Sequence, residues 1–167
     1  MLGVNVRDET MEEIVARLLP EGGEPYLKLI TAFVETLVRY VDPGTEAENG
    51  FFVKELPATE YVTQVMAWEE GLVTCLSEGD GGLLAAANKY SGDTQTELSE
   101  DALDAVGELL NCANGVYVSA LSRQGSYLEL LPPGTEELEE PVKPDTICRI
   151  PLIVLGKKLF LAVAELQ

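Results

Sequence analysis

The strand-like segments of this chain come in pairs joined by very short turns, and this grouping restricts the fold more than any other feature. Apolar and β-branched runs predict strands at 51–56, 61–68, 72–77, 127–131, 147–154 and 159–164. Two connections, Glu69-Glu70-Gly71 and Gly156-Lys157-Lys158, are too short for a crossover, so the strands that they join pair in antiparallel fashion. The sequence therefore predicts an antiparallel sheet.

Helical segments lie before and between these strands. Thr10 and Glu13 form a capping box at the start of a short amphipathic helix that ends at Pro20. Apolar residues at helical spacing predict further helices at about 26–41, 83–90 and 99–115. Because helices and hairpins are segregated along the chain, the expected fold class is α+β, an antiparallel β-sheet with long helices packed on one face.

The composition excludes several classes of function. The 167 residues include 29 acidic and 11 basic side chains, a formal net charge of −18, and the only close basic pair is Lys157 with Lys158. Nucleic acids and anionic membranes are bound by clustered Lys and Arg, so we expect neither as a partner. No apolar run approaches the roughly 20 residues that span a bilayer, and no signal peptide precedes the first helix, so a cytoplasmic protein is expected.

The chain contains no histidine. This excludes histidine general bases, Ser-His and Cys-His nucleophilic pairs and nearly all zinc sites. The three cysteines, Cys75, Cys112 and Cys148, are far apart and lie among apolar residues, which indicates buried free thiols. We expect no metal site and no cofactor of the chain's own.

The fourth predicted helix carries the best candidate for a functional surface. Asp104, Glu108, Asn111 and Gly115 recur at steps of three or four residues, and such steps return to nearly the same side of a helix. The opposite side is apolar, through Leu103, Val106, Leu110 and Ala113. We therefore expect this helix to be buried along its apolar side and to present one polar stripe, a carboxylate beside a neutral amide, to solvent.

The spacing Asp-x3-Glu-x2-Asn is weak as a motif, because it occurs twice in this chain. Asp42, Glu46 and Asn49 also match it, but Pro43 and Gly44 interrupt that copy, so its side chains should not share a helical face. For the copy at 104–111, an ordinary solvated helix surface is the alternative to a functional site.

Two glycines lie within the fourth helix, where each costs about 1 kcal/mol relative to alanine. Gly107, on the apolar side, permits close approach of the helix to the sheet. Gly115, on the stripe, either keeps the surface clear for a docking partner or simply ends the helix.

With these residues in view, the chain resembles the CheC/CheX family of chemotaxis phosphatases, and within it the shorter CheX-like branch. Residues 104–115, DAVGELLNCANG, look like the signature helix of that family. The surrounding blocks occur in the matching order: VTQVMAWEEGLVTCLS, LLAAANKYSG, ELSED, LPPG and the closing hairpin. The likeness begins near residue 26, so we divide the chain into an N-terminal helical extension, 1–24, and a single CheX-like domain, 25–167.

The resemblance implies hydrolysis of the aspartyl phosphate of a CheY-like receiver domain. Glu108 matches the acidic residue of the family motif and Asn111 its amide residue, so these two are the expected catalytic pair. Asp104 and Gly115 are expected to contact the receiver, and Mg2+ is expected in the receiver itself. Glu35 is followed three residues later by Val38, so a second motif is missing and the single-site, homodimeric CheX-like condition is implied.

Two alternatives to an enzyme remain open at this point. The same fold could serve as a non-catalytic dimeric adaptor or regulatory module of a signalling protein. It could also be a structural component of a flagellar switch, which needs only a packing surface.

Overall fold

The computed structural model describes residues 9–67 and 71–167. The α-helices are α1 (Met11–Leu18), α2 (Leu27–Tyr40), α3 (Gly82–Ser91) and α4 (Glu100–Arg123). A short 3-10 helix, Glu24–Tyr26, precedes α2. The strands are β1 (Glu46–Ala47), β2 (Phe51–Val53), β3 (Tyr61–Ala67), β4 (Leu72–Glu78), β5 (Glu129–Leu130), β6 (Ile147–Val154) and β7 (Lys157–Glu165). The predicted capping box of Thr10 and Glu13 is present at the start of α1.

The strands of the described residues form one sheet. Neighbouring strands follow the order β1-β6-β7-β4-β3-β5, and β2 pairs with β6 beside β1. Each of these pairings is antiparallel. The predicted α+β class is thereby confirmed, and both predicted hairpins form, β3 with β4 and β6 with β7.

The helices cover one face of the sheet. Side chains of α2, α3 and α4, such as Phe33, Leu83 and Leu109, lie in one buried cluster with Leu161 of β7. The N-terminal helix α1 joins the same core, because Val15 is fully buried in it. The division into an extension at 1–24 and a domain at 25–167 stays a prediction, and residues 1–8 of that extension lie outside the described residues.

The other face of the sheet is covered by a loop. Leu138 and Val142, in the acidic segment that follows β5, pack against a second buried cluster formed by Val73, Cys75, Ile147, Ala162 and Ala164. The sequence indicates an acidic surface loop here, and most of its residues are indeed exposed. Its apolar residues nevertheless cover this face of the sheet, which would otherwise be open to water.

The helix α4 extends beyond its predicted end at Gly115 and continues to Arg123. Tyr117 and Val118 pack against the main core, so burial of these side chains outweighs the roughly 1 kcal/mol that a glycine costs within a helix. Gly115 is therefore not a helix terminus. The predicted strand at 127–131 shortens correspondingly to Glu129–Leu130.

The closing hairpin turns one residue earlier than predicted. Its turn is Leu155-Gly156, with φ angles of 53° and 78°, and two successive positive φ values are those of a type I′ turn. Lys157 and Lys158 consequently belong to β7, and the Nζ atom of Lys158 lies 3.0 Å from a carboxylate oxygen of Glu48. The other predicted turn, at 69–71, falls largely on residues 68–70, outside the described ones.

The cysteines are free thiols, as expected, but they are not equally buried. Burial raises the pKa of Cys75 to about 12 and that of Cys148 to about 11. Cys112, on α4, is only partly buried.

The start of α3 is held by a carboxylate from the preceding strand. Gly81, the N-cap residue, offers no side chain, and Glu78 at the end of β4 accepts hydrogen bonds from four backbone N–H groups. These are the amides of Gly79, Gly81, Leu83 and Leu84, at 3.0, 3.0, 2.9 and 3.1 Å. A negative charge is also favourable at the N-terminal end of a helix dipole. Glu78 therefore fastens α3 to the sheet.

Replacing Glu78 tests this link. We expect Glu78→Ala to lower the free energy of unfolding by about 1–3 kcal/mol, because the amides at the start of α3 lose their acceptor. Urea denaturation measures the change, with Glu137→Ala, which removes an exposed carboxylate of the acidic loop, as the control. Equal midpoints for the two variants would contradict the capping role.

Candidate functional site

The polar stripe predicted for α4 is present. Ser99 caps the helix through its side-chain oxygen, which accepts a hydrogen bond from Ala102 N at 3.2 Å. Along one side the helix is buried against the core through Ala102, Ala105, Val106, Gly107, Leu109, Leu110 and Ala113. Along the other side Asp104, Glu108 and Asn111 are exposed, and Gly115 is partly exposed. The structure thus brings all four predicted residues onto one accessible surface.

The second copy of the spacing does not form such a surface. Asp42 follows α2, Glu46 lies in β1, and Asn49 is in the connection before β2. The Asp42 carboxylate instead accepts hydrogen bonds from the backbone N–H groups of Leu155 and Gly44, which lower its pKa. Helical context separates the two copies, as predicted.

Glu108 stands near α3 and, among the described residues, is paired with no cation. Burial is the main cause that raises the pKa of Tyr90, on α3, and the charges of Cys112, Glu108 and Tyr40 raise that pKa further. Glu108 therefore lies close enough to α3 to act on this side chain. The ion pairs found in the described residues join Arg17 to Glu9, Lys28 to Glu12, Lys143 to Glu165 and Lys158 to Glu48, and none includes Glu108 or Asp104. The Glu108 carboxylate is therefore available to a cation from another molecule.

Asn111 is exposed, yet it is tied to the sheet. Its side-chain oxygen Oδ1 accepts a hydrogen bond from Nε2 of Gln64, on β3, at 2.7 Å. The same Nε2 donates to the backbone carbonyl of Leu131 at 2.9 Å. Gln64 is only 1% exposed, so a buried side chain of the sheet reaches outward to hold a surface residue of the helix.

The polar contacts continue inward from Gln64. Asn114, fully buried on α4, donates from Nδ2 to Gln64 Oε1 at 2.7 Å and to Thr74 Oγ1 at 2.8 Å. Thr74 lies directly opposite Gln64 in the pairing of β3 with β4. We call Asn111, Gln64, Asn114 and Thr74 the amide network.

Sequence analysis missed the three inner members of the amide network. Their signal is present, because Gln64 stands between Val62 and Met66, two apolar residues on the buried face of the same strand. A polar residue at the centre of an alternating apolar pattern calls for a buried partner. The sequence alone does not identify that partner, because it comes from another element.

A groove borders the N-terminal end of the stripe. It has a volume of about 430 Å3, and Asp104, Gly107 and Pro133 are among the residues that line it. A Cβ atom at Gly107 would lie 3.3 Å from Cγ of Pro133 and 3.9 Å from Cγ1 of Val62. The glycine therefore permits the close approach that the sequence indicates, chiefly to the loop after β5 and less tightly to the sheet.

The surface at Gly115 is open. Within residues 9–67 and 71–167, a Cβ atom there would meet no atom within 4 Å beyond the helix's own backbone and its chain neighbours. Nothing in the described part of the chain explains this glycine by close packing, so the reading that it keeps the stripe clear for a partner remains a prediction.

Two further observations concern ligands and membranes. In residues 9–67 and 71–167 no group of three or more carboxylate, cysteine or histidine side chains is placed to hold a metal ion. Within the same residues no helix combines the length and the apolar character that crossing a bilayer requires.

Comparison with known proteins identifies the architecture. No protein-family model matches the sequence, and no curated protein matches it either. Among solved structures, CheX from Desulfovibrio desulfuricans superposes with a TM-score of 0.66 at 17% identity, over 86% of this chain and 99% of that one. A CheC-like superfamily protein from Shewanella sp. PV-4 gives 0.64 at 16% identity, over 83% and 94%. The chain has the CheC/CheX-like fold.

A third structure with this fold contains a partner. The CheX–CheY–BeF3–Mg2+ complex from Borrelia burgdorferi matches with a TM-score of 0.64 at 15% identity, over 84% of this chain and 96% of that one. The likeness is one of fold, and it extends over most of this chain. The predicted family resemblance is thus confirmed at the level of architecture.

The two glycines of α4 provide a matched test of the packing. We expect Gly107→Leu to lower the free energy of unfolding by about 1–3 kcal/mol, because the side chain must displace Pro133. Gly115→Leu is expected to raise it by up to about 1 kcal/mol, because leucine is a better helix former and meets open space. Chemical denaturation compares the two, and shifts of the same sign would contradict the packing described for α4.

Proposed function

We propose that this chain is a phosphatase that hydrolyses the aspartyl phosphate of a CheY-like receiver domain, with Glu108 and Asn111 as its catalytic pair. The observation that carries the proposal is that both residues are exposed, about one turn apart, on a helix held against the sheet along its other side. The CheC/CheX-like fold supports it, and so does the neighbouring structure from Borrelia burgdorferi, a complex of CheX with CheY.

The chemistry of an acyl phosphate suits a site without histidine. A phosphoaspartate is already activated, so its hydrolysis needs a water held in line with the scissile bond more than it needs an acid or a base. The carboxamide of Asn111 can accept a hydrogen bond from that water and donate one, without bringing negative charge towards the phosphoryl oxygens. A glutamine acts in this way in some GTPases. We assign Asn111 the positioning of the water.

Glu108 has a different role in the proposal. A carboxylate close to a phosphoryl group is repelled unless a cation lies between them. No basic side chain of the described residues is paired with Glu108, so we assign the cation to the receiver, as a lysine. Asp104 and Gly115 then contact the receiver on either side of the catalytic pair.

The remaining components of the proposal are the metal ion, the cellular location and the oligomeric state. The proposed Mg2+ belongs to the acidic pocket of the receiver, and this chain contributes no cofactor. The proposal places the reaction in the cytoplasm. It also includes one site in each chain, since exposed Glu35 on α2 is followed by half-buried Val38 where a second motif would need an amide. The proposed homodimer comes from the resemblance to the CheX-like branch.

The first test removes the amide. A receiver is loaded with a small phosphodonor, and the decay of its phosphoaspartate is followed with and without this protein. We expect Asn111→Ala to reduce the acceleration by about 100-fold or more, because the water loses the group that positions it. Asn49→Ala, an exposed asparagine from the second copy of the spacing, should leave the rate unchanged. Equal decay with wild type and Asn111→Ala would overturn the enzyme and favour the non-catalytic adaptor.

The second test removes the charge at Glu108. We expect Glu108→Gln to weaken binding of the receiver, loaded with a phosphate mimic, by about tenfold, because a lysine of the receiver loses its partner in the interface. The wild-type affinity should fall with rising salt, and the variant should lose part of that dependence. Glu35→Gln makes the same charge change on α2 and is the control. Unchanged affinity for Glu108→Gln, measured by titration calorimetry, would remove the docking role.

A further inference from the structure

The direction of every hydrogen bond in the amide network follows from one backbone atom. The carbonyl oxygen of Leu131 can only accept, so the Gln64 atom that lies 2.9 Å from it must be the NH2 group. The other end of the Gln64 carboxamide is then its oxygen, which needs a donor. Asn114 supplies it through Nδ2, and the second hydrogen of that NH2 group reaches Thr74.

The same constraint reaches the surface at Asn111. One hydrogen of Gln64 Nε2 is used by Leu131, and the other points to the Asn111 side chain at 2.7 Å. Two NH2 groups cannot hydrogen-bond to each other in this position, so Asn111 must turn its oxygen inward. Its Nδ2 group is turned away from the sheet and has no acceptor among the residues that the structure describes. The exposed edge of the amide is therefore a donor.

We propose that Gln64 is a positioning residue, which holds the Asn111 carboxamide in one orientation with its NH2 edge facing the partner. This inference rests on the proposed function for its consequence in catalysis. With Asn111 held in this way, its NH2 hydrogens face the incoming phosphoryl group and water. One lone pair of Oδ1 remains to accept a hydrogen bond from the water.

The energetics of the amide network favour a role beyond stability. Burying carboxamides is costly unless every polar atom is bonded, and the Oδ1 atom of fully buried Asn114 has no hydrogen-bond partner among the residues that the structure describes. An apolar residue at position 64 would match its neighbours Val62 and Met66 on the buried face of β3. A glutamine there links the sheet to the side-chain amide of Asn111 at the surface. Holding that amide in one orientation before the partner binds lowers the entropy cost of reaching a reactive geometry.

The test combines Gln64→Met, which keeps the length of the side chain without its hydrogen bonds, with Asn111→Ala. We expect Gln64→Met to slow dephosphorylation of the bound receiver by about 10- to 100-fold, the effect of a misplaced group. The affinity for the receiver should change by less than about twofold, because Glu108 is untouched. Since Gln64 acts through Asn111, adding Gln64→Met to Asn111→Ala should cause no further loss. The inference would be overturned if the losses of rate in the two single variants multiplied in the double variant, or if Gln64→Met kept the wild-type rate of dephosphorylation.

A matched control separates positioning from loss of stability. Thr63, also buried, lies next to Gln64 on β3 but on the opposite face, and its hydroxyl donates to Gly134 O at 3.3 Å in a partly buried hydrogen bond. Thr63→Val removes this hydrogen bond from the same strand without altering the amide network. We expect it to destabilise the fold and to leave dephosphorylation unchanged. A loss of activity in proportion to stability in both variants would show a structural effect only.

A direct measurement on the free protein keeps the inference independent of the enzyme assay. The NH2 group of Asn111 gives a side-chain signal in nitrogen-15 NMR, and its relaxation reports the order of the carboxamide. We expect an ordered carboxamide in the wild type and a more mobile one in Gln64→Met, with Thr63→Val like the wild type. Equal order in Gln64→Met and wild type would overturn the inference. If the order falls in Gln64→Met but Asn111→Ala does not slow dephosphorylation, the positioning stands and the proposed phosphatase falls.

Discussion

The burial of one side of α4 is the constraint on which the rest of the molecule depends. This helix contacts α2, α3 and the strands β3, β4 and β5, and its buried side is rich in small residues, with Gly107 close to Pro133. Close packing on several sides removes the freedom of the helix to rotate about its axis. The polar stripe can then face only solvent. A surface with a defined orientation is what recognition of another protein requires.

The two central residues of the stripe are prepared in different ways. Asn111 is held from within by Gln64, a buried residue of the sheet. Glu108 has no ion-pair partner in the described residues and stands near Tyr90 on α3. An amide that positions a water benefits from being fixed in advance, whereas a carboxylate that meets a cation of the partner can settle on contact. The structure thus combines a preorganised group with an adaptable one on a single helix.

Local patterns predicted the elements whose determinants lie close together in the sequence. The capping box of Thr10, the closing hairpin and the start of α4 at Ser99 each depend on residues within a few positions of one another, and each forms. The patterns failed where distant contacts outweigh local preference. Gly115 does not end α4, because Tyr117 and Val118 are packed on the core beyond it. β1, at Glu46–Ala47, was not predicted, since two residues carry no periodicity and only pairing with β6 makes them a strand.

The candidate site divides in the same manner. By itself the sequence determined that Asp104, Glu108, Asn111 and Gly115 share one side of a helix, because helical periodicity is a local property, and it also determined the antiparallel class of the sheet. Only the tertiary structure decided that Asn111 is held by Gln64, 47 positions away along the chain. A hydrogen bond between a strand and a helix depends on how the two elements are laid against each other. That arrangement is the joint result of all the core contacts, and no single segment of the sequence contains it.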